Sequence, residues 1–216
     1  MATLTLKWLG KTDFSEAHAA QEQRRRSVLQ GTASEAFWMT EHFPVLTAGM
    51  RQVPEKDLPD PEWLKDRNLK VIKTRRGGLL TYHGPGQLMG YLIVDVKARG
   101  MSIPCLVWAI EAGIINWLGK QGVGAGRKAG APGVWVGDHK ICSIGLHFKK
   151  WVSIQGFALN LSPDLSIFGN INPCGFSGQY VTSVQHICGY SMRPEEAYNE
   201  VSDEILATFR AKTVDR

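Results

Sequence analysis

The side chains best suited to covalent chemistry are a few thiols and one lysine. A thiol works as a nucleophile when it is exposed, sits near a cation that favours the thiolate, and has backbone donors able to hold an oxyanion. Among Cys105, Cys142, Cys174 and Cys188, only Cys174 stands between a proline and a glycine (Pro173-Cys174-Gly175). That bend projects the side chain, and Gly175 leaves room for a carbonyl to approach the backbone. A structural thiol is the competing reading. Cys142 lies in an apolar strand, where a free cysteine is usually a small buried hydrophobe. Cys105 opens a helix, and Cys188 lies in a polar connection without an evident activator. Lys140 is the cation of interest, because strand alternation places it on the face of Cys142 and Ile144. A lysine there needs a partner or a task. The residues alone favour a solvated strand end beside Asp138.

A second stretch looks built to receive a ligand. Arg75-Arg76-Gly77-Gly78-Leu79-Leu80-Thr81-Tyr82-His83-Gly84-Pro85-Gly86-Gln87-Leu88 gathers two arginines, four glycines, a histidine and a proline. Glycines permit close backbone approach, and arginine supplies planar donors. Ordinary hairpin turn chemistry is the alternative.

Such residues need a scaffold. Alternation at Leu4, Leu6 and Trp8 predicts a first strand turning at Gly10. Asp13 caps a helix over about 13–30, with Glu16 in the capping-box position and Gly31 as its stop. Strands follow at 37–39, 45–47 and 71–74, and a short helix at 62–66. Leu106, Val107, Ile110, Ile114, Ile115 and Leu118 mark a helix that starts at Pro104 and turns its stripe to a sheet. The glycine-rich run 122–130 matches neither GxGxxG nor a Walker motif, and is read as a flexible basic loop. Strands at 133–138, 140–146 and 153–161 follow. A last helix begins at Pro194 and carries Val201, Ile205 and Phe209. Together these predict one α+β domain over residues 1–216, with a mixed or antiparallel sheet and helices on one side.

Composition limits the partners. The 216 residues are 44% hydrophobic and 21% charged, the profile of a globular domain that buries a sizeable core. Neither a membrane span nor a signal or transit segment is predicted. The four cysteines show no CxxC spacing, so disulfides and structural zinc are not expected, and a reducing, cytoplasmic compartment is. His139 and His147 are eight residues apart and are not read as metal ligands. The net charge of +5 favours acidic partners, and no nucleic-acid signature is present.

Five segments, read together, resemble the lipoate-protein ligase B family of lipoyl(octanoyl) transferases over nearly the whole chain. They are His42-Phe43-Pro44-Val45 with Gly49; Arg76-Gly77-Gly78 through Thr81-Tyr82-His83-Gly84-Pro85-Gly86-Gln87; Ala131-Pro132-Gly133-Val134-Trp135 with Lys140-Ile141-Cys142-Ser143-Ile144-Gly145; Gly156-Phe157-Ala158-Leu159-Asn160; and Asn172-Pro173-Cys174-Gly175. The commonest family form has His where this chain has Gln155. The resemblance implies the mixed sheet flanked by helices of biotin and lipoate protein ligases. It also implies transfer of an octanoyl group from acyl carrier protein to a lysine of lipoyl domains, in 2-oxo acid dehydrogenase subunits or the glycine-cleavage H protein.

On that resemblance, Cys174 is the acyl-thioester nucleophile and Lys140 the residue that lowers its pKa, which reverses the ranking reached from residues alone. Arg76, Gly77, Gly78, Leu79, Leu80, Thr81, Tyr82 and His83 line the acyl channel, with Ser143, Ile144, Gly145, Gly156, Phe157 and Ala158 as its other walls. Backbone N–H groups near these glycines are candidate oxyanion donors. No cofactor, metal or ATP is expected, since a thioester is already activated. An ATP-dependent lipoate or biotin ligase is the nearest alternative, and a non-catalytic acyl- or carrier-binding module the alternative from another class.

Overall fold

The computed structural model describes residues 4–54, 58–171 and 180–214. In chain order the elements are β1 (Thr5–Thr12), α1 (Phe14–Leu29), β2 (Ala36–His42), β3 (Val45–Ala48), α2 (Pro61–Asp66), β4 (Val71–Lys73), β5 (Leu80–His83), β6 (Gln87–Ile93) and α3 (Ile103–Lys120). They continue with β7 (Gly133–Val136), β8 (His139–Lys149), β9 (Val152–Asn160), a 3-10 helix (Leu165–Asn170), α4 (Val184–Cys188) and α5 (Pro194–Val214). Six strands form a sheet in the order β1-β2-β6-β9-β8-β7, and three more form a sheet in the order β4-β3-β5. β1 runs parallel to β2 and β3 to β4, while the remaining pairs are antiparallel, so both sheets are mixed.

Alternation along β2, β6 and β9 sorts their side chains between the two faces of the larger sheet. Phe37, Met39, Leu88, Leu92, Phe157 and Leu159 join the main core with Leu106, Ile110, Ile114 and Trp117 of α3 and Val201, Ile205 and Phe209 of α5. Ala36, Trp38, Met89, Tyr91, Ile154 and Ala158 face the other way and pack with Ala17 of α1. Helices therefore cover both faces, not one side. The apolar stripe of each helix is readable in sequence, but not the face of the sheet that receives it. α3 and α5 also pack closely on one another: a Cβ at Gly113 would lie 2.5 Å from the Ile205 Cα.

Most local expectations hold. Asp13 caps α1, its carboxylate accepting from the amides of Ser15 and Glu16, and Gly31 follows with φ +71°. Gly10 does not turn the chain. It sits at φ +71° in a bulge of β1, where the register with β2 shifts between Trp8 and Lys11, and the strand continues to Thr12. The glycine-rich run 122–130 is anchored at several points. Gly126 exchanges backbone hydrogen bonds with Trp135, and Arg127 pairs with the buried Glu111 at 2.9 Å. α4 and the 3-10 helix have no counterpart in the sequence reading. Among the described residues, no helix is long and apolar enough to cross a membrane.

Candidate active site

A cavity of about 410 Å³ lies between the larger sheet, β5 of the smaller sheet, and the N-terminus of α1. It is lined by Arg76, Gly77, Gly78, Thr81 and His83 from one side, and by Lys140, Ser143, Ile144, Gly145, Gly156, Phe157 and Ala158 from the other. The antiparallel register of β8 and β9 explains the second wall: Ser143 faces Ala158, Ile144 faces Phe157, and Gly145 faces Gly156. Small side chains in adjacent rows leave a slot. Ser143, Gly145, Gly156 and Ala158 thus create a groove in a sheet that is otherwise densely packed.

Leu79, Leu80 and Tyr82 do not line this cavity. Alternation along β5 turns Thr81 and His83 toward it and commits Leu80 and Tyr82 to a separate core with Leu46 and Phe168. Tyr82 borders a second hollow with Glu41 and Asp164; burial first, then those two carboxylates, pushes its phenol up to about 12. Leu79 contributes its carbonyl to Arg76 at 2.9 Å.

Arg76 is a structural hub. Its guanidinium donates to the Thr47 hydroxyl from Nε and Nη2, at 3.2 and 2.9 Å, and to the Gly77 carbonyl at 2.9 Å. Its aliphatic stem faces the cavity, so that a Cβ at Gly145 would lie 3.1 Å from the Arg76 Cδ. Gly49 lets this loop close on β3: its amide donates to the Leu79 carbonyl, and a Cβ there would come within 2.3 Å of the Gly78 carbonyl oxygen. The Gly77 amide is itself engaged by the Leu146 carbonyl at 3.3 Å.

A chain of polar side chains continues from Arg76 across both sheets. Asn160 donates to the Thr182 carbonyl at 2.9 Å, Gln87 donates to the Asn160 side-chain oxygen at 2.9 Å, and the Gln87 oxygen faces His83 Nδ1 at 3.3 Å. These orientations make Nδ1 the protonated nitrogen of His83. Its Nε2 then accepts from the Thr47 hydroxyl at 3.2 Å, which in turn accepts from Arg76. Burial, then the nearby Arg76 and His42, holds the His83 pKa well below the usual histidine range. His83 is therefore neutral, has partners at both nitrogens, and stacks on Phe14 with ring centres 5.9 Å apart. His42 is held in the same manner, donating to the Thr12 carbonyl at 2.9 Å and accepting from the Tyr91 hydroxyl. Its burial lowers its pKa to about 4.

Lys140 reaches the cavity through a bulge. The register between β7 and β8 shifts between Val134, opposite Cys142, and Trp135, opposite Lys140, so Ile141 is the extra residue. Ile141 and Cys142 both enter the main core, whereas Lys140 lines the cavity together with Ser143. Simple alternation had put Lys140 and Cys142 on one face; the bulge separates them. Burial pushes the Cys142 thiol up, above the usual cysteine range, which leaves it an inert core residue. Lys140 Nζ donates to the Pro132 carbonyl at 3.2 Å and lies 4.8 Å from the centre of the Trp135 ring. Its backbone is fixed too: the Thr182 amide donates to the Lys140 carbonyl.

The bulge is supported from α3. Glu111 accepts from the Gly133 amide at 2.9 Å with one oxygen and from Arg127 with the other, clamping the start of β7 to the glycine-rich run. Gly133 adopts φ +126°, and a Cβ there would lie 2.4 Å from the Cys142 carbonyl oxygen. Glu111 was not singled out in the sequence. The signal for it was a lone carboxylate in the midst of an apolar helix, which calls for a buried partner. Phe14, Met89, Tyr91 and Tyr180 also line the cavity and belong to no motif-based expectation; Trp135, from the third family segment, and Gln155 line it as well. Cys174, with the whole segment Asn172-Pro173-Cys174-Gly175, lies outside the described residues. Among the described residues, no group of three or more His, Cys, Asp and Glu side chains could hold a metal ion.

Comparison with known proteins adds three findings. The family model described as "Lipoyl protein ligase A/B catalytic domain" matches residues 13–207. A protein of Solibacter usitatus named Octanoyltransferase is 42% identical over 177 residues, 82% of this chain and 80% of its own length. One of the same name from Maridesulfovibrio salexigens is 36% identical over 201 residues, covering 93% and 94% of the two chains. Among solved structures, the bipartite lipoate protein ligase of Thermoplasma acidophilum superposes with a TM-score of 0.70 at 16% identity, over 99% of this chain and 84% of that one. The biotin protein ligase of Aquifex aeolicus, solved with biotin and ATP, gives 0.59 at 13% identity, over 98% and 72%. These last two likenesses concern the fold.

Proposed function

Because this chain belongs to the lipoyl protein ligase A/B catalytic-domain family, among its octanoyltransferases, and is an acyltransferase acting in protein lipoylation, we propose that it works by a thioester exchange followed by aminolysis of the new thioester at the cavity floored by Lys140. The donor is octanoyl-acyl carrier protein, and the acceptor is a lysine of a lipoyl domain. The Cys174 thiolate attacks the thioester carbonyl, the phosphopantetheine thiol leaves, and the octanoyl group is held on Cys174. The acceptor ε-amine then attacks this second thioester, forming the amide and returning the thiol.

Lys140 serves both steps. As an ammonium it favours the attacking thiolate, and after proton transfer to the departing thiol it is neutral and takes the proton of the incoming amine. No ATP enters, since each step begins from a thioester. The octanoyl chain occupies the slot beside Ser143, Gly145, Gly156 and Ala158, and His83 shapes that slot.

The observation that carries this reading is the position of Lys140, turned by the β8 bulge into an apolar cavity whose walls are lined with small residues. The chain around Cys174 fits it as well. Phe168 on one side of the segment and Tyr180 and Val181 on the other line the same cavity. Five residues lie between Cys174 and Tyr180, a reach of at most about 20 Å.

The test is transfer from octanoyl-acyl carrier protein to a lipoyl domain, followed by the acceptor's mass, without ATP. Wild type should acylate the acceptor and Lys140→Ala should be impaired by about 10²–10⁴-fold in kcat. Transfer that requires ATP and free octanoate, and survives Cys174→Ser, would replace this reading with an adenylating ligase.

A further inference from the structure

Trp135 is 3% exposed and lines the cavity, yet among the described residues it joins none of the three apolar clusters. Its neighbours are cations. Lys140 Nζ lies 4.8 Å from the ring centre and Lys128 Nζ 4.9 Å, so the two ammonium groups are separated by no more than the sum of those distances. An indole face is the best aromatic partner for an ammonium, and the contact strengthens where water is excluded. Two cations at one ring also repel each other.

The ring is held in place from several directions. The register shift that turns Lys140 into the cavity also sets Trp135 opposite it. On its other edge Trp135 exchanges both backbone hydrogen bonds with Gly126, at 2.8 and 2.9 Å, and its indole N–H donates to the Ala131 carbonyl at 3.0 Å. The next residue, Pro132, supplies the carbonyl that accepts from Lys140 at 3.2 Å. Trp135 is thus one partner of the ammonium and anchors the loop that carries another. The charged groups on the surrounding elements are engaged elsewhere. Glu111 of α3 accepts from Gly133 and Arg127, and Asp138, in the β7–β8 turn, accepts from Lys128 at 2.9 Å. His139 follows Asp138, its ring 6.4 Å from that of Tyr180, and Arg51 and Arg76 line the same cavity.

We infer that Trp135 is a positioning residue for Lys140: its indole face holds the ammonium form at the cavity wall, and Lys128, at the same ring, opposes that hold so that the proton can leave. This rests on the transfer reading above, in which Lys140 gives its proton to the departing thiol and takes one from the incoming amine. The ring favours the ammonium that the first step requires. The second cation favours its release.

Trace acetylation with acetic anhydride from about pH 7 to 11, read peptide by peptide by mass, gives the titration midpoint of each lysine without any substrate. Lys149, exposed at the far end of β8, is the internal reference. In Trp135→Leu the Lys140 midpoint should fall by about 0.5–1 pH unit relative to Lys149, and the alkaline limb of kcat/KM for octanoyl-acyl carrier protein should fall with it. Trp135→Phe keeps a ring face but loses the N–H, and should show a smaller shift in the same direction. Lys128→Gln, a change at an exposed position, should move the midpoint upward. A tryptophan that only packed would lower activity without moving the midpoint. A Lys140 midpoint unchanged in Trp135→Leu, or unchanged or lowered in Lys128→Gln, overturns the inference. If Trp135→Leu does not fold, Lys128→Gln decides by the same criterion. If wild type transfers no octanoyl group, the transfer reading falls, while the labelling still reports whether Trp135 holds the Lys140 ammonium.

Discussion

His83 and Lys140 both face the cavity, but their surroundings assign them different work. His83 is neutral and bonded at both nitrogens, while Lys140 places its ammonium between a carbonyl and an indole face. His83→Gln should therefore lower kcat less than about tenfold, whereas Lys140→Ala should cost about 10²–10⁴-fold. Equal losses would give His83 a part in proton transfer. His42 supplies a stability signature. Its folded pKa of about 4 lies below the unfolded value of 6.5, so the unfolded chain binds more protons in that window. Its contribution is complete above pH 6.5 and is lost as pH falls toward 4, a change of roughly 3 kcal/mol. Thermal unfolding followed from pH 7 to 4 should show a steeper fall in Tm for wild type than for His42→Gln; parallel curves would contradict this.

At the scale of elements, the β8 bulge decides which residue reaches the cavity. It depends on Gly133, whose φ and whose contact with the Cys142 carbonyl both exclude a side chain. Gly133→Ala should destabilise by about 2 kcal/mol or more and lower Tm by roughly 4–8 °C, measured by calorimetry. A Tm within about a degree of wild type would show that the bulge relaxes freely. The same element marks the limit of sequence reading. Strand identity, helix caps and the apolar stripes of α3 and α5 were legible because they rest on local spacing. The bulge was not, because one inserted residue reverses a face without altering composition, and so Lys140 and Cys142 were placed together. The chain from Asn160 through Gln87 and His83 to Arg76 was likewise hidden, since its members come from four separated elements. Gln155 was visible only as a departure from the common family residue; its place on the cavity wall emerges from the fold.

For the molecule as a whole, two mixed sheets meet at one cavity, and a chain of net charge +5 surrounds it. If the donor is an acidic carrier protein, its encounter should be salt-sensitive. Raising NaCl from about 50 to 500 mM should raise KM for octanoyl-acyl carrier protein roughly three- to tenfold, and should leave KM for octanoyl-pantetheine within about twofold. Equal shifts for both donors would remove electrostatic docking from the account. The central claim, a covalent octanoyl intermediate, is tested most directly by the intact mass of the protein after incubation with octanoyl-acyl carrier protein in the absence of ATP. Wild type should gain one octanoyl group and Cys174→Ala none. An unmodified wild-type mass, or an equal adduct on Cys174→Ala, would contradict the thioester on Cys174.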